Sequence, residues 1–171
     1  MQLIIDGYNL IRQSPVFRAA EAESLEAGRE ALLEYLEVYR RLKHHKITVV
    51  FDGEKSFHLS LQKKKVKGIT VIYSGLGEKA DDVIKRLIQR DHNVVVITSD
   101  REIIDFAERH RATAILAQEF LPKLEMAYYM EVKGIGEDEE EGLHPISPVK
   151  KGPSRRPPKR KKKKQRVLRK L

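Results

Sequence analysis

Cysteine and tryptophan are both absent from the 171 residues, and aromatic residues make up only 6% of the chain. Without cysteine, the protein can contain neither a disulfide framework nor a thiolate metal site. No stretch reaches the roughly 18 to 20 apolar residues that a membrane-spanning helix needs. The first residues also lack the basic-then-apolar pattern of a signal peptide. These absences favour a cytoplasmic protein that has no membrane partner.

Acidic residues are missing from the last part of the chain, and this gives the protein two regions of opposite charge. The 23 residues from Val149 onward contain 13 of the 34 Lys and Arg residues and no Asp or Glu. The remaining 21 basic residues face all 25 acidic ones, so residues 1–148 have a formal charge of about −4. A mildly acidic body therefore carries a strongly basic tail.

The composition changes again near residue 132. Glycines, the acidic run Glu137–Glu141 and several prolines follow that point, and few apolar residues remain to form a core. We therefore predict a folded domain over residues 1–132, an acidic linker rich in Pro and Gly over 133–148, and a disordered basic tail over 149–171.

Short apolar runs rich in β-branched residues predict the strands of the domain. They are Leu3–Ile5, Ile47–Phe51, Ile69–Tyr73, Val94–Thr98 and Thr113–Leu116. Segments with helical spacing separate most of them, and the first long one begins after Ser24, a residue suited to capping a helix. Strands that are apolar throughout and alternate with helices predict a mostly parallel sheet with helices on both faces.

Carboxylates follow three of the predicted strands. Asp6, Asp52 and Asp100 come directly after the first, second and fourth strands, and Asp81 and Asp82 open the helix after the third. Because the carboxyl ends of parallel strands meet at one edge of a sheet, these side chains are expected to lie near one another. Each acid alone is also typical of a turn or a helix cap, so the prediction depends on the whole set.

Several carboxylates at one partly buried edge repel one another unless a cation offsets their charge. Mg²⁺ or Mn²⁺ suits such a site because these ions prefer oxygen ligands and bind through a few carboxylates, water and phosphate oxygens. An ion of this kind can activate water and stabilise charge on an attacked phosphate. The pattern therefore favours metal-assisted hydrolysis of a phosphodiester, although structural acids remain the alternative reading.

Four motifs together resemble the YacP-like branch of the NYN domains, within the PIN-like nuclease superfamily. In chain order they are Ile-Asp-Gly-Tyr-Asn-Leu-Ile at 5–11, Val-Val-Phe-Asp-Gly at 49–53, Glu-Lys-Ala-Asp-Asp-Val-Ile at 78–84 and Val-Ile-Thr-Ser-Asp-Arg at 96–101. The resemblance spans about residues 1–130. It implies a PIN-like three-layer α/β/α sandwich and a Mg²⁺- or Mn²⁺-dependent ribonuclease that cuts single-stranded RNA.

The resemblance also assigns site residues by position. It implies that the catalytic and metal-binding acids are Asp6, Asp81, Asp82 and Asp100. Asn9 matches an asparagine that supports the first acid and is counted among the catalytic residues. Thr98 and Ser99 match small polar residues that brace the site, and Asp52 is placed in a supporting role. Whether Asp81 or Asp82 faces the metal stays open, since successive helical residues point about 100° apart.

A set of basic residues is expected to contact RNA. Arg101 lies beside the predicted site, a lysine-rich segment follows the second strand, and the basic tail supplies the other eight candidates. The candidates are Arg101, Lys63, Lys64, Lys65, Lys67, Arg155, Arg156, Lys159, Arg160, Lys161, Lys162, Lys163 and Lys164. Such side chains bind phosphates with little sequence information. A solvated loop and a nonspecific tethering arm are the alternatives for the two lysine-rich segments.

The functional prediction is a metal-dependent endoribonuclease that acts on RNA. The resemblance further implies messenger RNA as the substrate and the ribosome as a partner. Two other readings stay open: a noncatalytic RNA- or ribosome-binding module of the same fold, and a nuclease that processes structured transfer or ribosomal RNA.

Overall fold

The computed structural model describes residues 1–53, 61–134 and 159–171. The strands are β1 (Gln2–Asp6), β2 (Lys46–Phe51), β3 (Gln62–Val66), β4 (Ile69–Tyr73), β5 (Val94–Ile97) and β6 (Thr113–Ile115). The helices are α1 (Gly7–Gln13), α2 (Pro15–Glu23), α3 (Leu25–Lys43), α4 (Ala80–Arg90), α5 (Arg101–Arg109), α6 (Ala117–Lys133) and α7 (Lys159–Leu168). All five predicted strands are present.

The six strands form one sheet in the order β3-β4-β2-β1-β5-β6. Every neighbouring pair is parallel except β3 and β4, which are antiparallel. The central strand β1 therefore ends between β2 and β5, and all the parallel strands end at one edge. We call this edge the carboxyl edge of the sheet. The predicted mostly parallel α/β fold is confirmed.

Helices cover both faces of the sheet and create two apolar cores. Alternate residues of β1 show the division, because Leu3 and Ile5 pack in the core that includes α3 and α6, whereas Ile4 packs in the core that includes α4 and α5. Asp6 continues the alternation of Ile4, so its side chain belongs to the α4 and α5 face. The alternation of side chains along β1 thus directs Asp6 toward α4 and α5, the helices at whose starts the other predicted metal-binding acids lie.

The lysine-rich segment after the second strand is part of the sheet. Residues 62–66 form β3, one of the two edge strands, although their sequence has no apolar strand pattern. Three of its five residues are lysines. The segment is extended because it forms backbone hydrogen bonds with β4. Charged residues on an edge strand also oppose pairing with another chain, which explains why this sequence tolerates them.

The end of the basic tail departs from the predicted disorder. Residues 159–168 form α7, and the main-chain oxygen of Leu171 accepts a hydrogen bond of 2.7 Å from the hydroxyl of Tyr39. Leu171 is 4% exposed, and Val167 and Leu168 pack against the same core. Burial of these three apolar side chains offsets the cost of ordering the basic helix. Residues 135–158, with most of the predicted linker, lie outside the described residues.

Within the described parts of the chain, no helix combines the length and the apolar character that crossing a bilayer requires.

Candidate active site

The first acid of the site lies where β1 passes directly into α1. Asp6 is only 9% exposed, and it caps α1 because its Oδ1 accepts a hydrogen bond of 3.2 Å from the backbone amide of Asn9. Its other oxygen, Oδ2, accepts a bond of 3.1 Å from the hydroxyl of Thr98. The Asp6 carboxylate is therefore held in one orientation from two sides, by α1 and by the end of β5.

Thr98 connects the first acid to the third predicted one. Its hydroxyl, which donates to Asp6, also accepts a hydrogen bond of 3.1 Å from the backbone amide of Asp100. Asp100 caps α5, since its Oδ1 accepts from the amides of Glu102 and Ile103 at 2.7 and 3.3 Å. The buried Thr98 hydroxyl thus links the Asp6 carboxylate to the backbone of Asp100.

Asn9 and Ser99 form a second link across the same edge. The Asn9 side-chain oxygen accepts a hydrogen bond of 2.8 Å from the Ser99 backbone amide. The Ser99 hydroxyl oxygen is buried and has no hydrogen-bond partner among the described residues. A buried hydroxyl without a partner is uncommon, and its position beside the acids fits a site completed by water, an ion or a substrate.

The acids at the carboxyl edge interact electrostatically. The pKa of Asp6 is raised to about 6, mainly by burial and in smaller part by the nearby charges of Asp81 and Asp100, against the lowering effect of the bonds from Asn9 and Thr98. Burial and the charge of Asp100 also raise the pKa of Asp81. Asp6, Asp81 and Asp100, on three separate elements, therefore form one electrostatically coupled group, which we call the acid cluster.

The two neighbouring acids of α4 have different surroundings. Asp81 is half-buried and interacts with Asp6 and Asp100, whereas Asp82 is exposed. The Asp82 carboxylate accepts a hydrogen bond of 3.4 Å from the backbone amide of Lys79, in the capping box of α4. The two acids therefore differ: Asp81 interacts with Asp6 and Asp100, whereas Asp82 caps its own helix.

Sequence reasoning missed two charged residues beside the acid cluster. The charge of Glu102 contributes to the raised pKa of Asp81, and Lys85 forms an ion pair with Glu102. The nearby Lys85 ammonium also lowers the pKa of Asp81. Lys85 lies one helical turn after Asp81, and Glu102 lies in the first turn of α5, so helical spacing provides a signal for both.

Asp52 ends β2 at the same edge, and the glycine after it has a clear structural role. A Cβ atom on Gly53 would lie 1.8 Å from the main-chain oxygen of Ser74, so only glycine fits there. The Gly53 amide also donates to the Ser74 hydroxyl at 2.9 Å. The turn after Asp52 thus joins the ends of β2 and β4.

Tyr8 packs inside the domain. It is 6% exposed, and its ring lies edge-on against Phe51 with the centroids 5.2 Å apart. Its hydroxyl accepts hydrogen bonds from Arg29, whose guanidinium lies over the rings of Tyr8, Phe51 and Tyr73. Arg29 was not among the predicted residues, since nothing in the spacing of α3 marks it.

The four lysines near β3 have three different environments. Lys63 and Lys65 lie opposite Ile72 and Thr70 of β4, on the α4 face of the sheet. Lys64 lies on the other face, with its ammonium 5.1 Å from the centre of the Tyr73 ring. Lys67 follows the strand and pairs with Glu34 and Glu37 on α3. They do not form a single basic surface.

The other predicted RNA-binding residues lie at two places. Arg101 is exposed at the start of α5, next to Asp100. In α7, Lys163 donates a bond of 2.7 Å to the main-chain oxygen of Arg111, and Lys164 pairs with Glu119 at 2.7 Å. Lys161 and Lys162 are exposed on the same helix, which also includes Lys159 and Arg160. Arg155 and Arg156 lie outside the described residues.

The carboxylates of the acid cluster and the neighbouring Ser99 hydroxyl, which has no partner among the described residues, are oxygen donors of the kind that Mg²⁺ or Mn²⁺ prefers. Among the described residues, no three acidic or histidine side chains come close enough to form a ready metal cage. Mg²⁺ usually keeps several water ligands and binds through one or two carboxylates. The residues present therefore fit an ion held partly through water.

Two crystal structures from Bacillus subtilis share this fold. The structure of Rae1 (YacP) matches with a TM-score of 0.66 and 26% identity, over 79% of each chain. A mutant of Rae1 matches with a TM-score of 0.65 and 25% identity, over 77% of this chain and 79% of that one.

One curated relative and one family match show which family the sequence belongs to. Uncharacterized protein YacP of Bacillus subtilis (strain 168) is 33% identical over 105 residues, which cover 57% of this chain and 59% of the relative. The chain therefore spans less than two thirds of that relative. The sequence model of the YacP-like NYN domain matches residues 3–152. The chain belongs to the YacP-like NYN domain family.

Proposed function

We propose that this protein is a Mg²⁺- or Mn²⁺-dependent endoribonuclease that hydrolyses phosphodiester bonds in single-stranded RNA. The observation that carries the proposal is the convergence of Asp6, Asp81 and Asp100 at the carboxyl edge, where burial and then the neighbouring negative charges raise the pKa values of Asp6 and Asp81. Three carboxylates at one edge are unfavourable for folding alone. They become favourable when a divalent cation offsets their charge.

Asp6 and Asp81 are the residues that we expect to hold the ion, with Asp100 acting through water. Asp100 is the less direct candidate because one of its oxygens already accepts two amide bonds at the start of α5. When bound, the ion supplies positive charge for the attacked phosphate and makes water a better nucleophile. The neutral Asn9 supports this edge without adding another negative charge.

The chain's own contribution is orientation. Thr98 and the Asn9 amide fix both oxygens of Asp6, so the carboxylate does not need to reorganise when substrate arrives. Exposed Arg101 lies at the rim, where it can contact a phosphate next to the one that is cut. We extend the proposal to messenger RNA on the ribosome as the expected substrate in cells.

Cleavage of a labelled single-stranded RNA tests the proposal. We expect wild type to cut the RNA with Mn²⁺ and to be inactive with EDTA, and Asp6→Asn to lose activity by at least about 100-fold. Asn9 and Thr98 can still hold an asparagine at position 6, so this variant keeps its fold. Equal cleavage by both proteins would contradict the assigned site. If wild type binds RNA without cutting it, with or without ribosomes, the noncatalytic binding module is the better description.

A further inference from the structure

A strongly basic groove lies at the end of the sheet opposite the acid cluster. Its volume is about 820 Å³, and it opens where β1 and β2 begin, at Gln2 and Lys46. The basic and imidazole side chains that shape it are Arg40, His44, His45, Lys46, Lys63 and Lys65. We call it the basic groove.

The basic groove lies beside α4, between this helix and the edge strand β3. This helix packs over β1 and β2, whereas Thr70 and Ile72 of β4 line the groove. Leu87 of α4 forms one wall, and Lys63 and Lys65 project from β3 on the other side. The sheet therefore forms the floor of the groove, and Lys63 and Lys65 make its outer wall positively charged.

Arg40 is the best-defined cation of the basic groove. Its guanidinium lies against Gly68, where a Cβ atom would come 2.6 Å from Cζ. Gly68 has a φ angle of +77°, so the turn and the close approach both require glycine. The Arg40 Nε is buried without a hydrogen-bond partner in the described part of the chain. A buried donor without a partner is uncommon, and this one belongs to a residue that lines the groove.

The charge of the basic groove is largely uncompensated. Its described lining contains no Asp or Glu, and Arg41, which also lines it, pairs with Glu131 at 2.8 Å. Within residues 1–53, 61–134 and 159–171, Arg40, Lys46, Lys63 and Lys65 take part in no ion pair. A groove lined by one sign of charge concentrates its field and attracts a polyanion.

We propose that the basic groove binds the phosphate backbone of an RNA strand at a place remote from the acid cluster. The groove supplies several cations within one channel, and no Phe or Tyr side chain lines its described part, so it suits phosphates better than stacked bases. This inference rests on the proposed RNA-related function and adds a second contact region to it.

The separation between the two regions sets the expected substrate. Strand β2 runs from Lys46 at the basic groove to Phe51 at the carboxyl edge, a length of roughly 17 Å at about 3.3 Å per residue. An RNA that reaches both regions must extend several nucleotides beyond the linkage that is cut. Short RNAs contact one region only, so the groove favours long RNA chains.

The test measures binding in EDTA, where cleavage is not needed. The probes are fluorescein-labelled single-stranded RNAs of 20 and 5 nucleotides, read by fluorescence anisotropy at several salt concentrations. We expect Lys63→Gln/Lys65→Gln to weaken binding of the 20-nucleotide RNA by about tenfold, and to lower its salt slope by about 1.4 for two lost single-strand phosphate contacts. Both lysines are exposed on an edge strand, so the variant keeps its fold, which circular dichroism checks.

Arg18→Gln/Lys123→Gln is the matched control, because it removes the same charge from α2 and α6, away from the groove. Its binding should stay within about twofold of wild type. Equal losses of RNA affinity in both variants, or no loss in either, would overturn the proposal that the basic groove binds RNA. So would displacement of the RNA by polyglutamate at equal charge concentration, because this would indicate a protein partner. If wild type cleaves RNA and the groove variant binds RNA normally, only the proposal for the basic groove is overturned. If binding depends on the groove but no RNA is cleaved, only the nuclease proposal is overturned.

Discussion

The side-chain oxygen of Asn9 accepts a hydrogen bond of 2.8 Å from the backbone amide of Ser99, and this bond ties α1 to the loop between β5 and α5. The two residues are 90 positions apart in the chain. The bond holds the Asp6 and Asp100 ends of the candidate site in one arrangement. It does so with a neutral side chain, whereas an aspartate at position 9 would add a fourth charge to the acid cluster.

Replacing Asn9 by alanine should destabilise the protein. The Ser99 amide would lose its acceptor at a partly buried position, which costs about 1 to 3 kcal/mol of unfolding free energy. Denaturant unfolding of Asn9→Ala measures this loss. Asn93→Ala is the control, since Asn93 is exposed and donates to the Asp91 carboxylate from its backbone amide, which alanine keeps. Equal stability of the two variants would show that the link to Ser99 contributes little.

Replacing Asp6 by asparagine should stabilise the metal-free protein at neutral pH. Folding raises the pKa of Asp6 from 3.8 to about 6, so the Asp6 contribution is fully present below pH 3.8 and is lost as the pH rises through 6. The difference corresponds to at most about 3 kcal/mol at pH 7.5. Asparagine avoids the loss because it stays neutral and still caps α1.

The comparison for this variant is made in EDTA at several pH values. The advantage of Asp6→Asn over wild type should be near zero at pH 3.5, grow between pH 4 and 6.5, and then level off. Chemical unfolding curves give both free energies. A constant difference across this range would mean that Asp6 keeps its ordinary pKa in the folded protein.

Asp81 and Asp82 should differ in their effect on Mn²⁺ binding. Asp81 interacts electrostatically with Asp6 and Asp100, whereas Asp82 is exposed and accepts a hydrogen bond from the Lys79 amide. We expect Asp81→Asn to weaken Mn²⁺ affinity by about tenfold or more, and Asp82→Asn by about threefold or less. Isothermal titration calorimetry measures both affinities. The reverse order would place Asp82 at the metal.

The parts of the fold that follow a repeating pattern were predictable from the sequence. Buried parallel strands are apolar throughout, so β1 and β5 stand out as continuous runs of Leu, Ile and Val. Strand β3 was not predictable, because its lysines give no apolar pattern and its partner β4 makes it a strand. The site follows the same division: strand ends locate Asp6 and Asp100, but only packing separates Asp81 from Asp82.

The docking of α7 depends on contacts that its own composition does not indicate. Its sequence is nearly all Lys and Arg, which is typical of disorder, and the apolar residues that hold it come at the very end. Leu171 joins a core that includes Tyr39, which lies 132 positions earlier in the chain. Composition describes a segment alone, whereas its order here depends on the surface that it covers.

Truncating Leu171 should therefore weaken the whole domain. Leu171 is 4% exposed, so Leu171→Ala should cost about 1 to 3 kcal/mol of unfolding free energy, toward the low end of values for core leucines because the site is close to solvent. Tyr39→Phe should cost about 1 kcal/mol, since it removes the hydroxyl that donates to the Leu171 oxygen. Lys170→Ala is the control at an exposed neighbour and should change stability by less than about 0.5 kcal/mol. Thermal and chemical unfolding of the three variants measures the contribution of α7, and identical stabilities would show that the helix does not dock on the domain in solution.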